Sequence, residues 1–157
     1  FPFNGSHLLS AQASLKNADN RCRRHKTNES DKKKEAPMIR KPSEMKTEVR
    51  EKMRGGDGAV AIRHFFAKEE FGAQVRLCAR LTLPPGAGIG PHQHEGEDEV
   101  YIVTRGSGLL DDGATATRVS LGDAILTGKG ASHAVKNDGH EDLEMIAMIV
   151  CYPPSGC

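Results

Sequence analysis

His92, His94, Glu99 and, far downstream, His133 are the residues of this chain best suited to chemistry. Three neutral imidazoles and one carboxylate suit a single divalent transition ion: Mn, Fe, Co, Ni, Cu or Zn. Four protein donors leave two adjacent positions of an octahedron open to water or substrate, which suits chemistry better than structural bracing.

These side chains meet only if the backbone aims them at one point. Residues i and i+2 of a strand share a face, so His92 and His94 can converge. Glu99 lies five positions after His94 and would face the opposite way on an unbroken strand. A bend or bulge between them is therefore expected, and Gly96 supplies the freedom for it. Glu-Val-Tyr-Ile-Val (99–103) then restarts a strand with the carboxylate turned inward.

The rest of the pattern from Gly58 onward is also β. Alternating or apolar runs predict strands at Ala59–Phe66, Val75–Leu83, Val100–Thr104, Gly108–Leu110, Ala114–Ser120, Ala124–Thr127, Ser132–Lys136 and Leu143–Tyr152. Turn residues at Pro84-Pro85-Gly86, Gly106, Asp112-Gly113, Gly122-Asp123, Gly128–Gly130 and Asp138-Gly139 separate them. Leu143–Tyr152 is apolar on both faces, which predicts protein on either side. Ahead of the strands, Ser43 can cap a short helix over Glu44–Arg54, with Met45, Val49 and Met53 as its stripe and Gly55-Gly56 as its end. The expectation is an all-β sandwich or barrel with a short N-terminal helix.

Written out, the two clusters read Gly86-x5-His92-x-His94-x4-Glu99-x6-Gly106 and Gly122-x5-Gly128-x-Gly130-x2-His133-x3-Asn137. They resemble the two signature motifs of the cupin family across about residues 59–152. The second departs once, with Gly128 where the family usually has proline, a change expected to loosen the loop before His133. The resemblance implies a double-stranded β-helix, or jelly-roll barrel, with one divalent transition metal per chain held by His92, His94, Glu99 and His133. It also implies a homodimer. Single-domain members with a similar His-Glu-Gly-Glu-x-Glu-Val/Ile-Tyr stretch are grouped with oxalate-binding, oxalate-decarboxylase-like and sugar-phosphate-isomerase-like proteins.

Other residues have two readings each. Tyr101 shares parity with Glu99 and faces the lumen, either as packing or as a donor to a substrate oxygen. Glu97 is the rival to Glu99 as ligand, but Glu99 alone keeps the spacing to Gly106. Glu95, Glu97 and Asp98 are expected to be largely solvated rim charges; one of them can accept a ligand N–H or act as general base. Tyr101 and Glu97 are accordingly the candidate catalytic residues. Arg76 and Arg80 share a strand face and either clamp a carboxylate or stand in solvent. Lys129 is either an anion attractor or a solvated charge. His64 and His140 lie outside both motifs and are read as non-ligands.

Composition divides the chain. Residues 1–37 carry 8 Lys/Arg and 4 Asp/Glu, hence +4; residues 38–157 carry 14 and 17, hence −3, consistent with the net +1. Residues 1–37 are polar and begin with Phe, whereas periodic apolar pattern starts only after Met38. They are read as a disordered or vector-derived extension, or a misjoined frame, ahead of a single domain at 38–157. An organellar transit peptide is a weaker reading of the same stretch. Its basic runs lack interleaved aromatics, which argues against a nucleic-acid tether. No apolar run is long enough to span a bilayer. Cys22, Cys78, Cys151 and Cys157 form no Cys-x-x-Cys pair, so reduced thiols in a cytoplasmic protein are expected.

The leading functional expectation is a mononuclear metalloenzyme acting on a small carboxylate, keto acid or sugar acid, its ligand an oxygen-rich anionic or sugar-like molecule. The alternatives are a non-catalytic small-ligand binder or sensor, and an Fe-dependent dioxygenase. Fold by itself does not choose between them.

Overall fold

The computed structural model describes residues 38–153. The expectations for 1–37 and for Cys22 and Cys157 fall outside the described residues.

Ten strands make two antiparallel sheets: β1 (Thr47–Glu51), β2 (Ala59–His64), β3 (Val75–Leu83), β4 (Gly88–Gln93), β5 (Glu97–Arg105), β6 (Ser107–Asp111), β7 (Ala116–Ser120), β8 (Ala124–Gly128), β9 (Ser132–Lys136) and β10 (Leu143–Cys151). One sheet runs β1-β2-β3-β10-β5-β8 and the other β4-β9-β6-β7. Period-two patterning decides what lies between them. Val60 and Ile62, Ala79, Leu81 and Leu83, Tyr101 and Val103, and Leu143, Met145 and Ala147 are all buried in one cluster. Side chains one residue out of phase on these strands point the other way. The expected all-β jelly-roll architecture is present.

The sequence-based strands recur with small shifts at their ends, and two were missed. One is β4, whose Gly88-Ile89-Gly90-Pro91 start reads as a loop. The other is β1. The helix expected over Glu44–Arg54 is replaced by a 3-10 turn at Pro42–Glu44, strand β1 and a second turn at Met53–Gly55. Met45, Val49 and Met53 do recur at helical spacing. However, pairing Thr47–Glu51 along the open edge of β2 satisfies the backbone, and Val49 is left 62% exposed opposite Ala61. Tertiary pairing here outweighs a weak local preference.

β10 lies between β3 and β5, and Leu143, Met145, Ala147 and Ile149 face inward. Its other face is open rather than covered, because Met148 and Val150 are exposed. Among the described residues no helix is long and apolar enough to cross a membrane. Cys78 and Cys151 are free thiols.

Candidate metal centre

His92 lies on β4 and is the direct cross-strand partner of His133 on β9. β4 ends at Gln93, so His94 opens a short connection in which Gly96 adopts φ +69°, the bend that the spacing demanded. β5 then begins at Glu97, with Glu97, Glu99, Tyr101 and Val103 along its buried row. The ligand atoms of His92, His94, Glu99 and His133 all lie within 4.8 Å of one another. Nε2 of His133 is 3.2 Å from Nε2 of both His92 and His94. Glu99 Oε2 is 2.9 Å from His133 Nε2, 3.1 Å from His94 Nε2 and 3.7 Å from His92 Nε2.

The reverse side of each ring explains this convergence. His92 Nδ1 lies 2.9 Å from the Gly90 carbonyl, which can only accept, so the ring proton sits there and Nε2 is bare. His94 Nδ1 donates to Glu97 Oε1 at 2.9 Å, with the same consequence. His133 Nδ1 is 2.9 Å from the Thr127 hydroxyl. Glu99 Oε2 is buried without a hydrogen-bond partner. Bare nitrogen lone pairs turned on an orphaned carboxylate oxygen repel one another unless a cation lies between them. The donor set therefore fits a transition ion, and these four residues could hold one.

Burial opposes the charge of Glu99, but its contacts with His133, His92 and Tyr101 outweigh it and hold the carboxyl down at about 2. Tyr101 faces inward, as its parity with Glu99 predicts, and its ring stacks on His133 with centroids 5.1 Å apart and planes 15° apart. Burial, then the Glu99 charge, raises the phenol well above its ordinary value, so it stays protonated.

Glu97 is buried, not the solvated rim charge expected, and takes the alternative place of acceptor for a ligand N–H. Arg76 grips it with two nitrogens, Nε to Oε2 at 2.6 Å and Nη2 to Oε1. That contact, helped by His94 and opposed by burial, lowers its pKa and keeps it ionised. Of its acidic neighbours, Glu95 is exposed, as a rim charge should be, and Asp98 accepts from the Tyr152 hydroxyl at 2.7 Å. Arg80 pairs with Glu144 at 3.5 Å. Lys129 is exposed, and its backbone N–H donates to the same Tyr152 oxygen at 3.0 Å. Neither His64 nor His140 belongs to the cluster.

Gly128 has a reason of its own. A Cβ there would run into the Asp98 carboxylate. The loop before His133 is thus tied by Tyr152, which bridges Asp98 and Lys129, rather than by a rigid proline. Asn137, the last residue of the second motif, is fully buried and donates to the carbonyls of Leu83 and Glu141 at 2.7 and 2.8 Å.

A cavity of about 150 Å³ opens onto the centre, lined by His92, His94, Glu99 and Tyr101 together with Glu48, Arg50, Arg54, His64 and Arg76 among others. Sequence reasoning did not find the role of Thr127 or place Arg54 at the cavity, and it offered Arg76 as a carboxylate clamp without naming Glu97 as its partner. Thr127 and Arg54 lie outside the motif positions, and the tie from Arg76 to Glu97 emerges only from strand pairing.

The family described as Cupin domain matches residues 79–149. An oxalate-binding protein of Thermotoga maritima is 40% identical over 113 residues, which are 72% of this chain and 93% of that protein. The chain belongs to the cupin family. A crystal structure of a predicted oxalate decarboxylase from Thermotoga maritima shares 39% identity and a TM-score of 0.69, over 73% of this cupin and 99% of that chain. A polyketide cyclase from Streptomyces resistomycificus, 17% identical with a TM-score of 0.60 over 77% of this cupin and 83% of that chain, has the same fold.

Proposed function

We propose that this cupin is a mononuclear metalloprotein, with His92, His94, Glu99 and His133 as ligands, that acts on a small oxygen-rich carboxylate. The convergence of three imidazole nitrogens and an orphaned carboxylate oxygen beside a small cavity carries this reading. Its likeness to an oxalate-binding protein supports a small anionic ligand. A divalent ion in this place supplies Lewis acidity, chelating two ligand oxygens and polarising a carbonyl or stabilising an enolate. The chain's own residues position and exclude. At about 150 Å³ the cavity is smaller than the 300–1,000 Å³ usual for drug-sized ligands, so it admits only a small acid. Thr127, Glu97 and the Gly90 carbonyl fix the three rings, and Tyr101 covers His133 and donates to Glu99.

Proton transfer on the ligand would fall to the pair His64 and Glu48, 3.2 Å apart and lining the same cavity, since Glu97 is held by Arg76. The test is turnover: the metal-loaded chain is incubated with oxalate, small keto acids and uronates, and products are followed by NMR. Conversion that disappears in His64→Gln with metal content unchanged supports the enzymatic reading. A ligand bound at the centre and recovered unchanged overturns it.

That outcome belongs to the second reading, a non-catalytic binder. It is favoured by the fact that Tyr101 stays protonated and Glu97 stays ionised, so neither moves a proton readily. Exposed Ile102, Leu126, Met148 and Val150 on the outside of the six-stranded sheet support assembly as a homodimer, which sedimentation velocity would test.

A further inference from the structure

We propose that Arg54 is a clamp for the far carboxylate of the ligand, making the centre selective for small dianions over monoanions; this rests on the carboxylate reading above. Arg54 lines the cavity that contains His92, His94, Glu99 and Tyr101. The other basic side chains of that lining outside the ligand set already have partners. Arg50 pairs with Glu48 at 2.7 Å, His64 with the same carboxylate at 3.2 Å, and Arg76 with Glu97. Among the described residues Arg54 forms no ion pair, so its guanidinium is free for an incoming anion.

The turn that carries it is held firmly. Lys52 and Arg54 both adopt left-handed backbone, φ +48° and +55°, which is unfavourable for a non-glycine residue. Such conformations persist where their surroundings enforce them, and they cluster at ligand clamps. Here the surroundings are visible. Met53 packs on the buried core, Lys52 N–H donates to the Gly58 carbonyl at 2.8 Å, and Gly55 N–H donates to Lys52 at 2.9 Å. A Cβ on Gly56 would strike the backbone of Gly88 and Gly90, and one on Gly90 would strike the Arg54 carbonyl. Backbone thus lies directly on β4, two residues before His92. Arg54 and Tyr101 line the same cavity.

Charge balance points to the ligand class. A divalent ion with three neutral imidazoles and the Glu99 carboxylate has a net charge of +1. A chelated dianion reverses this to −1, which the Arg54 guanidinium neutralises. A monoanion neutralises the centre by itself and leaves Arg54 unpaired. Guanidinium and carboxylate also match in bidentate geometry.

The experiment is calorimetric titration of the full chain loaded with Mn(II), using oxalate as the dianion and glyoxylate as the monoanion, with metal content measured in every sample. Arg54→Gln should weaken oxalate by about 10- to 100-fold, the usual loss for a charged hydrogen bond, and change glyoxylate by less than about threefold. Arg54→Lys should recover part of the oxalate affinity, and metal content should be unchanged in both variants. Oxalate binding equal in Arg54→Gln and the parent overturns the clamp while leaving the carboxylate reading intact. An equal loss for both acids overturns the selectivity. Failure of the fully loaded parent to bind either acid overturns the carboxylate reading and the clamp with it.

Discussion

Arg76 and Glu97 form a forked ion pair behind His94, on the side of the ring away from the other three ligands, with Nε 2.6 Å from Oε2. The pair fixes which His94 nitrogen carries the proton and raises the basicity of the other. Glu97→Gln should therefore lower metal affinity by about 10- to 100-fold while leaving the fold intact, as measured by competition with a chromogenic chelator and by circular dichroism. Arg76→Met should act in the same direction and more weakly, because the carboxylate itself remains. Unchanged affinity in Glu97→Gln would remove it from the centre.

His94→Ala and His133→Ala each delete a donor from a buried position. Metal stoichiometry by mass spectrometry is expected to fall to a small fraction of the parent value in both. Retention of one ion per chain in either variant would refute the ligand assignment.

Acid should act in two stages. Imidazoles must be neutral to hold an ion, so protons compete with it. Metal, and the stability it brings, is expected to be lost as the solution is acidified. The second stage belongs to Glu99, whose folded pKa of about 2 lies below its ordinary 4.5. A depressed carboxyl stabilises the fold above the unfolded value and loses that contribution as pH falls from there through the folded value. The contribution is on the order of 3 kcal/mol in chelator-treated protein. Urea titrations of treated parent and Glu99→Gln between pH 3 and pH 7 should converge at the acid end, since only the parent loses charge. Parallel curves would contradict this.

Tyr152→Phe should free the loop between β8 and β9 by removing the oxygen that joins Asp98 to the Lys129 amide. A small fall in melting temperature is expected, together with faster amide exchange at Lys129. Gly128→Ala should cost more, because the methyl group and the Asp98 carboxylate claim one space.

What could be seen in the sequence was what periodicity and spacing encode. The inward turn of Glu99 and Tyr101, the bend at Gly96, and the two glycine-framed histidine clusters all rest on parity or turn chemistry, and the structure has them, whereas Glu97, expected on the solvated rim, is buried by its partners. β1 and β4 were hidden for opposite reasons. Met45, Val49 and Met53 imitate a helix stripe on an edge strand, whereas Gly88 to Pro91 lack any strand former except Ile89. The anticipated looseness at Gly128 did not allow for Tyr152, a residue 24 positions later whose hydroxyl reaches the loop only after β10 is in place. Thr127 was invisible in the same way, because only its pairing with Glu99 made it relevant, and the carboxylate that Arg76 clamps, Glu97, lies across β10 from it.

His92 and His133 belong to the four-stranded sheet, whereas Glu99 belongs to the six-stranded one. An ion gripped by all three would act as a rivet through both walls of the barrel. Prising the walls apart would then release the ion, and withdrawing the ion would permit the walls to breathe. Loading and mechanical closure would be one thermodynamic event viewed from two ends.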